Sequence, residues 1–270
     1  MTIIRIIEYL SNTIFYKFEQ ILGKGGFGTV FSGVNKIDGS EVAIKQVLKG
    51  KISSIQDNIP IEVFVLKQIS DVPGVIKLLD YYELDDSFHI VMEKFNGQDL
   101  FDFISHNGPI KEQIAKHIFS QVVETIYMCY EKGIIHGDIK DENIMININD
   151  LSVKLIDFGS ARHIKFNIDN TYEGTTMFTP PEWISLSNLN GESLTVWSLG
   201  ILLYDMLFGD IPFKTVTEIF VKEILFFEKI ELSESVFSLL NDCLKKNYKE
   251  RISLYNVKNH KWLSDKVYCR

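Results

Sequence analysis

Cysteine, proline and long apolar runs are all scarce in this chain. Its three cysteines, Cys129, Cys243 and Cys269, form an odd, scattered set with no paired spacing. That argues against a disulfide framework and a zinc site, and fits a reducing intracellular compartment, the cytoplasm or the nucleus. No stretch of about 18 uncharged apolar residues occurs, so no membrane span is expected. Arg5 and Glu8 interrupt the apolar N-terminus, and no small-residue cleavage site follows, so it does not read as a signal peptide. Ile3, Ile6, Ile7 and Leu10 nonetheless share helical spacing. They suit either a short helix covering an apolar surface of the domain or one that docks on a partner or membrane. Basic charge is in deficit as well: 28 Lys and Arg against 36 Asp and Glu give −8 over 270 residues. Such a balance disfavours nucleic-acid binding, because phosphates demand basic surface, and is compatible with basic peptide partners. Internal repeats and low-complexity tracts are absent, and only six prolines occur. At 46% apolar and 24% charged, the rest is an ordinary globular composition for one large domain or two lobes.

What is present changes character part-way along. Residues 18–22, 29–34 and 41–48 read as strands separated by glycine turns and by Asp38-Gly39. Helical spacing follows over 59–70 (Ile61, Val65, Ile69), then strand-like runs at 75–82 and 88–93. After Gly97 long amphipathic segments take over, at 98–106, 111–132, 193–208, 216–228 and 233–244, with short strands near 144–147 and 153–156. The expected fold class is α+β and bilobal: a small antiparallel β lobe with one main helix (about 18–93), a hinge at 93–97, and a larger, mostly helical lobe (98–263). A short extension (1–17) and a tail (264–270) flank it.

Two clusters carry the chemistry. In Gly23-Lys24-Gly25-Gly26-Phe27-Gly28-Thr29-Val30, three spaced glycines between two strands leave backbone amides able to close over a phosphate chain. No Gly-Lys-Ser/Thr ends the loop and no helix follows it directly, so it is not a Walker loop, and alone it also fits a plain tight turn. Lys45, in Val42-Ala43-Ile44-Lys45, would point inward from a strand, where an ammonium needs anionic partners. Nucleotide phosphates and Glu62, on the next helix, would supply them. The second cluster is His136-Gly137-Asp138-Ile139-Lys140-Asp141-Glu142-Asn143 with Asp157-Phe158-Gly159. Asp138 would accept or orient a substrate hydroxyl proton, and Lys140 would neutralise charge on a transferring phosphoryl group. Asn143 and Asp157 offer hard oxygens suited to Mg2+. Taken in this order, the parts describe ATP-dependent phosphoryl transfer to protein.

These motifs resemble the eukaryotic protein kinase family from about Phe18 to Leu263. The resemblance implies an activation segment running from Asp157 to Pro180-Pro181-Glu182, with Arg251 pairing that glutamate and Trp197-Ser198-Leu199-Gly200 in a central helix. Lysine at 140 follows the serine/threonine pattern. Within the family the chain is most similar to the Pim kinases. The shared stretches include Asp138-Ile139-Lys140-Asp141-Glu142-Asn143-Ile144, Pro180-Pro181-Glu182-Trp183-Ile184 and Val196-Trp197-Ser198-Leu199-Gly200-Ile201-Leu202-Leu203-Tyr204-Asp205-Met206. By resemblance, Lys45, Glu62, Asp138 and Lys140 are catalytic, and Asn143 and Asp157 hold Mg2+. ATP would be bound by Leu22, Gly23, Lys24, Gly25, Gly26, Phe27, Gly28, Val30, Ala43, Lys45, Met92, Glu93, Phe95 and Met145. Adenine would bond to the Glu93 carbonyl and the Phe95 amide, with Met92 as gatekeeper.

Three departures stand out. The hinge Glu93-Lys94-Phe95-Asn96-Gly97 lacks the extra residue and prolines of Pim kinases. Gly137 stands where an arginine usually grips an activation-segment phosphate, so activity without that phosphorylation is expected. The candidate phosphoacceptors there are Thr171, Thr175 and Thr176, and Thr175 matches a threonine that bridges Asp138 and Lys140. Thr195 replaces an aspartate that anchors the catalytic loop in most kinases, a substitution Pim kinases share. Asp99, Glu142 and Asp205 match positions at which basophilic kinases bind substrate arginines, and Asp102 and Asp210 would extend the patch. Each alone is more often a solvated carboxylate; the group, with the net acidity, carries the expectation. Expected partners are therefore protein or peptide substrates with Arg or Lys before the phosphoacceptor and no nucleic acid beyond ATP, and the chain itself is expected to be a monomer. The alternatives are a pseudokinase-like interaction protein, which only Gly137 favours, and a small-molecule phosphotransferase.

Overall fold

Consecutive hairpins with alternating side chains build the first part of the molecule, as strand periodicity requires. The computed structural model of the chain describes residues 15–26, 28–52, 55–164, 174–185, 190–224 and 231–264. These fall into two units: the residues up to Lys67 with Ile76–Phe95, and Gln68–Val75 with everything from Asn96 on. Ile3, Ile6, Ile7, Leu10, Phe27, Thr171, Cys269 and residues 225–228 of one expected helix lie outside the described residues.

The first unit is a five-stranded antiparallel sheet ordered β1-β2-β3-β7-β6. Its strands are β1 (Tyr16–Gly25), β2 (Gly28–Asn35), β3 (Glu41–Leu48), β6 (Leu78–Glu83) and β7 (Ser87–Glu93). A small hairpin, β4 (Ile55–Gln56) and β5 (Ile59–Pro60), leads into helix α1 (Ile61–Gln68). Asp57 and Asn58 turn that hairpin with φ of 52° and 62°, a left-handed conformation these two residue types tolerate. Register sorts the sheet's two faces. Val30 lies opposite Lys45, Lys45 opposite Ile90, and Ala43 opposite Met92, so all five share one face. Val42, Ile44 and Val91 occupy the other, where they are buried with Tyr16, and Phe18 and Tyr82 pack against them.

The second unit is mostly helical. It contains α2 (Leu100–Asn107), α3 (Glu112–Glu131), α4 (Pro181–Ile184), α5 (Gly191–Phe208), α6 (Val216–Val221), α7 (Glu234–Cys243), α8 (Leu254–Lys258) and α9 (Lys261–Ser264). Helix α5 is buried on every side from Leu194 to Leu207, which explains its lack of an amphipathic stripe. Asn190 caps its start by accepting from Ser193 N–H, and Gly209 ends it with φ of 71°. Short strands β8 (Gln98–Asp99), β10 (Ile144–Ile146) and β11 (Val153–Leu155) form one small sheet; β9 (Ile134–Ile135) and β12 (Arg162–His163) form another.

Two expectations need correction. The strand expected from Val75 begins at Leu78, because residues 68–75 are held by the second unit. Asp71 pairs with Lys132 at 2.9 Å, Leu155 N–H donates to Gly74 O at 2.8 Å, and Val75 makes a parallel bridge to Leu155. Gly74 packs so close to Thr125 that a Cβ there would overlap its side chain. The helix expected over 216–228 stops at Val221, and Lys222 N–H closes its last turn on Glu218 O.

Candidate active site

The first unit contributes a buried ion pair. Lys45 leaves β3 on the same face as Val30, Ala43 and Met92, and its Nζ lies 2.6 Å from Glu62 Oε2. Glu62 sits in the first turn of α1, where a carboxylate also meets the positive end of the helix. Both residues are only 4% exposed. A desolvated pair of this kind persists only with further hydrogen bonds, and both residues have other interactions. Leu22, Gly23, Lys24, Gly25 and Gly26 form an exposed hairpin end between β1 and β2. Within it, a Cβ on Gly28 would overlap the Gln46 carbonyl, so glycine is required there by close backbone approach. Glu93 N–H donates to Lys77 O at 3.0 Å, while Lys94 pairs with Glu41 at 2.8 Å. Phe95 closes the unit, half-buried.

The second unit gathers the other group on one loop between β9 and β10. Asp138, 7% exposed, accepts at Oδ1 from Thr175 N–H (2.8 Å) and at Oδ2 from Asn143 Nδ2 (3.1 Å). The same amide nitrogen donates to Asp138 O at 2.7 Å, so Asn143 is fixed with its amide oxygen turned from Asp138. Thr175 thus reaches Asp138 through its backbone N–H. Lys140 Nζ lies 3.6 Å from Asp138 Oδ2 and 2.5 Å from Glu142 Oε2. Burial works against its charge, but the Glu142 hydrogen bond and the Asp138, Glu142 and Asp157 charges outweigh that and hold its pKa above the ordinary lysine range.

The turn at Asp157 is tied to this loop by His136, to which the sequence assigned no role, and by Gly137. His136 Nε2–H donates to Ile156 O at 2.9 Å, and its Nδ1 accepts from Asp138 N–H at 3.3 Å. Its ring meets Phe158 edge-on at 4.6 Å. Asp157 follows in a left-handed conformation, φ 59°, and accepts from Gly159 N–H. Gly137 has φ of 84°, and a Cβ there would overlap the Ser160 carbonyl oxygen. The signal for His136 was its place two residues before Asp138; the signal for Gly137 was the missing arginine.

The candidate substrate carboxylates differ among themselves. Glu142 and Asp102 are exposed. Asp99 caps α2 by accepting from Asp102 N–H at 2.7 Å, and burial raises its pKa against that bond. Met145 lies opposite Asp99 in the small sheet. Asp205 is not a solvated carboxylate: it is 6% exposed and hydrogen-bonded to Asp141, itself 7% exposed. Burial, and then Asp141, push the Asp205 pKa up to about 7. Asp210 pairs with Lys214 on the surface.

Further along, Glu182 in α4 and Arg251 make a bidentate pair, 2.5 and 3.0 Å, with side chains 4% and 1% exposed. Arg251 also donates to Lys245 O and Ser193 O and lies over the Trp197 ring at 4.9 Å. A lysine placed on a sheet against a helix carboxylate, an Asp-Lys-Asn loop and a glutamate–arginine anchor thus occur in one chain. The protein kinase domain family matches residues 16–263. The chain belongs to the protein kinase family.

Among curated relatives, this kinase is similar to "Serine/threonine-protein kinase pim-2" of Danio rerio, at 40% identity over 93% of this chain and 85% of that protein. It is 36% identical to "Serine/threonine-protein kinase prk-2" of Caenorhabditis elegans, over 93% of this chain and 59% of the other. It is 35% identical to the mouse "PAS domain-containing serine/threonine-protein kinase", over 93% of this chain but 19% of that protein. The kinase is therefore Pim-like and a protein serine/threonine kinase, with protein substrates. Among the described residues no helix is long and apolar enough to cross a membrane.

Proposed function

We propose that this kinase phosphorylates Ser or Thr in basic sequences, with ATP and Mg2+, and does so without phosphorylation of its own activation segment. Protein kinases use ATP and Mg2+ generally, and the donor set here fits them. Asn143 and Asp157 offer the hard oxygens that Mg2+ takes, and Lys45 is a buried cation of the kind phosphates require. Bound nucleotide supplies the phosphoryl group; Asp138 would take or orient the hydroxyl proton, and Lys140 would meet the developing charge.

The observation that carries the reading is the intact Asp138 constellation. Asp138 is held by Thr175 N–H and Asn143 Nδ2 (2.8 and 3.1 Å) with Gly137, not an arginine, beside it. No guanidinium at position 137 waits for a phosphate, and Asp138 takes its bonds from a backbone amide and a neutral side chain. Exposed Glu142 and Asp102, with an overall charge of −8, favour cationic sequences.

Radiolabelled ATP with two peptides, one carrying arginines before the serine and one with alanines instead, tests this. Transfer to the arginine peptide is expected to persist after phosphatase treatment and in Thr176→Ala. It should vanish in Lys45→Met and in Asp157→Ala. Equal use of both peptides would sink the basic preference, and phosphatase-sensitive activity would sink the independence from phosphorylation.

A further inference from the structure

Lys140 stands between two carboxylates of opposite accessibility. Its Nζ lies 2.5 Å from Glu142 Oε2, whose side chain is 53% exposed, and 3.6 Å from Asp138 Oδ2, whose side chain is 8% exposed. The local fold produces this choice. Lys140 is extended, φ −159° and ψ 169°, and the 3-10 turn Asp141–Asn143 that follows swings Glu142 back beside it. The same turn buries Asp141 and Asn143 and leaves Glu142 outward. A cation arriving from solvent can therefore reach Glu142 but not Asp138.

We propose that Glu142 is a positioning residue for Lys140: its carboxylate holds the ammonium, and a basic substrate side chain, by taking that carboxylate, hands Lys140 over to the transferring phosphoryl group. This deepens the basophilic reading above and rests on it. A basic residue in the substrate then contributes twice, once to binding and once to turnover. The second contribution arises because two cations compete for one carboxylate, and an ion pair with one exposed member is weak enough to be exchanged. Interactions realised only as the reaction proceeds raise kcat, whereas uniform binding changes KM alone.

The test compares wild type with Glu142→Gln, using the arginine peptide and its alanine counterpart. The half-exposed position of Glu142 makes the variant safe for folding. If Glu142 restrains Lys140, Glu142→Gln raises kcat for the alanine peptide about three- to fivefold, the range a partly exposed ion pair carries. kcat for the arginine peptide stays unchanged while its KM rises. A second readout needs no nucleotide: acylation of Lys140 by an amine-reactive ester, followed by mass spectrometry, is faster in Glu142→Gln relative to the other lysines. A KM effect confined to the arginine peptide, with both kcat values and the acylation rate unchanged, would overturn the proposal and leave Glu142 a simple substrate contact. If wild type shows no arginine preference, the substrate reading fails by itself. Faster acylation and a raised alanine-peptide kcat would then still report the restraint, and their absence would remove both.

Discussion

Replacing Gly137 tests how the loop that carries Asp138 and the turn at Asp157 are joined. The residue has φ of 84°, and an added Cβ would overlap the Ser160 carbonyl oxygen. An L-residue in the left-handed region costs about 1–2 kcal/mol. Pushing aside packed backbone costs about 1–3 kcal/mol more. Gly137→Ala is therefore expected to lose about 2–5 kcal/mol, a large part of the roughly 5–15 kcal/mol that holds a typical domain together. Gly39 supplies the control: its φ is 75°, yet a Cβ there meets nothing within 4 Å. Gly39→Ala should show only the conformational part, about 1–2 kcal/mol. Urea unfolding of the two variants reads the difference, which isolates the contact with Ser160. Gly137→Arg bears the same Cβ, so it should be at least as unstable as Gly137→Ala and should gain no dependence on phosphorylation. Equal midpoints for Gly137→Ala and Gly39→Ala would refute the close approach. A stable Gly137→Arg enzyme that responds to phosphatase would refute the account of why arginine is absent.

Other outcomes follow from the buried charges. Arg251→Met strands Glu182, and a buried charge left alone costs about 3–5 kcal/mol; thermal melting should show less added loss when Glu182→Gln is combined with it, since the two share one contact. His89, 2% exposed with no hydrogen-bond partner at Nδ1, has its pKa lowered by burial. Its stabilising contribution is complete above the ordinary histidine value of about 6.5 and is lost as pH falls through the lower folded value. Melting at pH 5.5 against 7.5 should thus show a drop in wild type that His89→Phe reduces. Asp205 has the opposite sign: a folded pKa of about 7 gives a contribution that is complete below the usual carboxylate range and lost as pH rises through about 7. Asp205→Asn should flatten that decline, and an unchanged pH profile would show that Asp205 and Asp141 do not share a proton.

The sequence disclosed features whose chemistry is local. Lys45, Glu62, Asp138, Asn143 and Asp157 could be named because their motifs are contiguous, with Lys45 inside an alternating strand, Glu62 in one helix turn and the rest in short loops beside strands. The strand Glu41–Leu48 agrees with its sequence bounds, because Val42-Ala43-Ile44-Lys45 alternates under one sheet. What escaped notice depends on distant partners. Val75 is apolar and flanked like a strand residue, but Thr125, Lys132 and Leu155 hold its loop elsewhere. Strands of two residues such as Ile134–Ile135 carry no periodicity to read. Asp205 looks like any carboxylate in sequence; its burial, and then its contact with Asp141, 64 positions earlier (205 against 141 in the chain numbering), raise its pKa. The choice of Lys140 between Glu142 and Asp138 is likewise a matter of how one turn closes.

The clasp between Glu182 and Arg251 joins positions 69 apart. Contacts of such separation form late, since the intervening chain must be closed before they reward it. During synthesis at about 5–20 residues per second, ribosomes would need several seconds after making Glu182 before its guanidinium partner exists. Until then the Glu182 carboxylate stays in water, and a nascent chain already carrying Lys45, Asp138 and Asp157 cannot yet bury that carboxylate against Arg251.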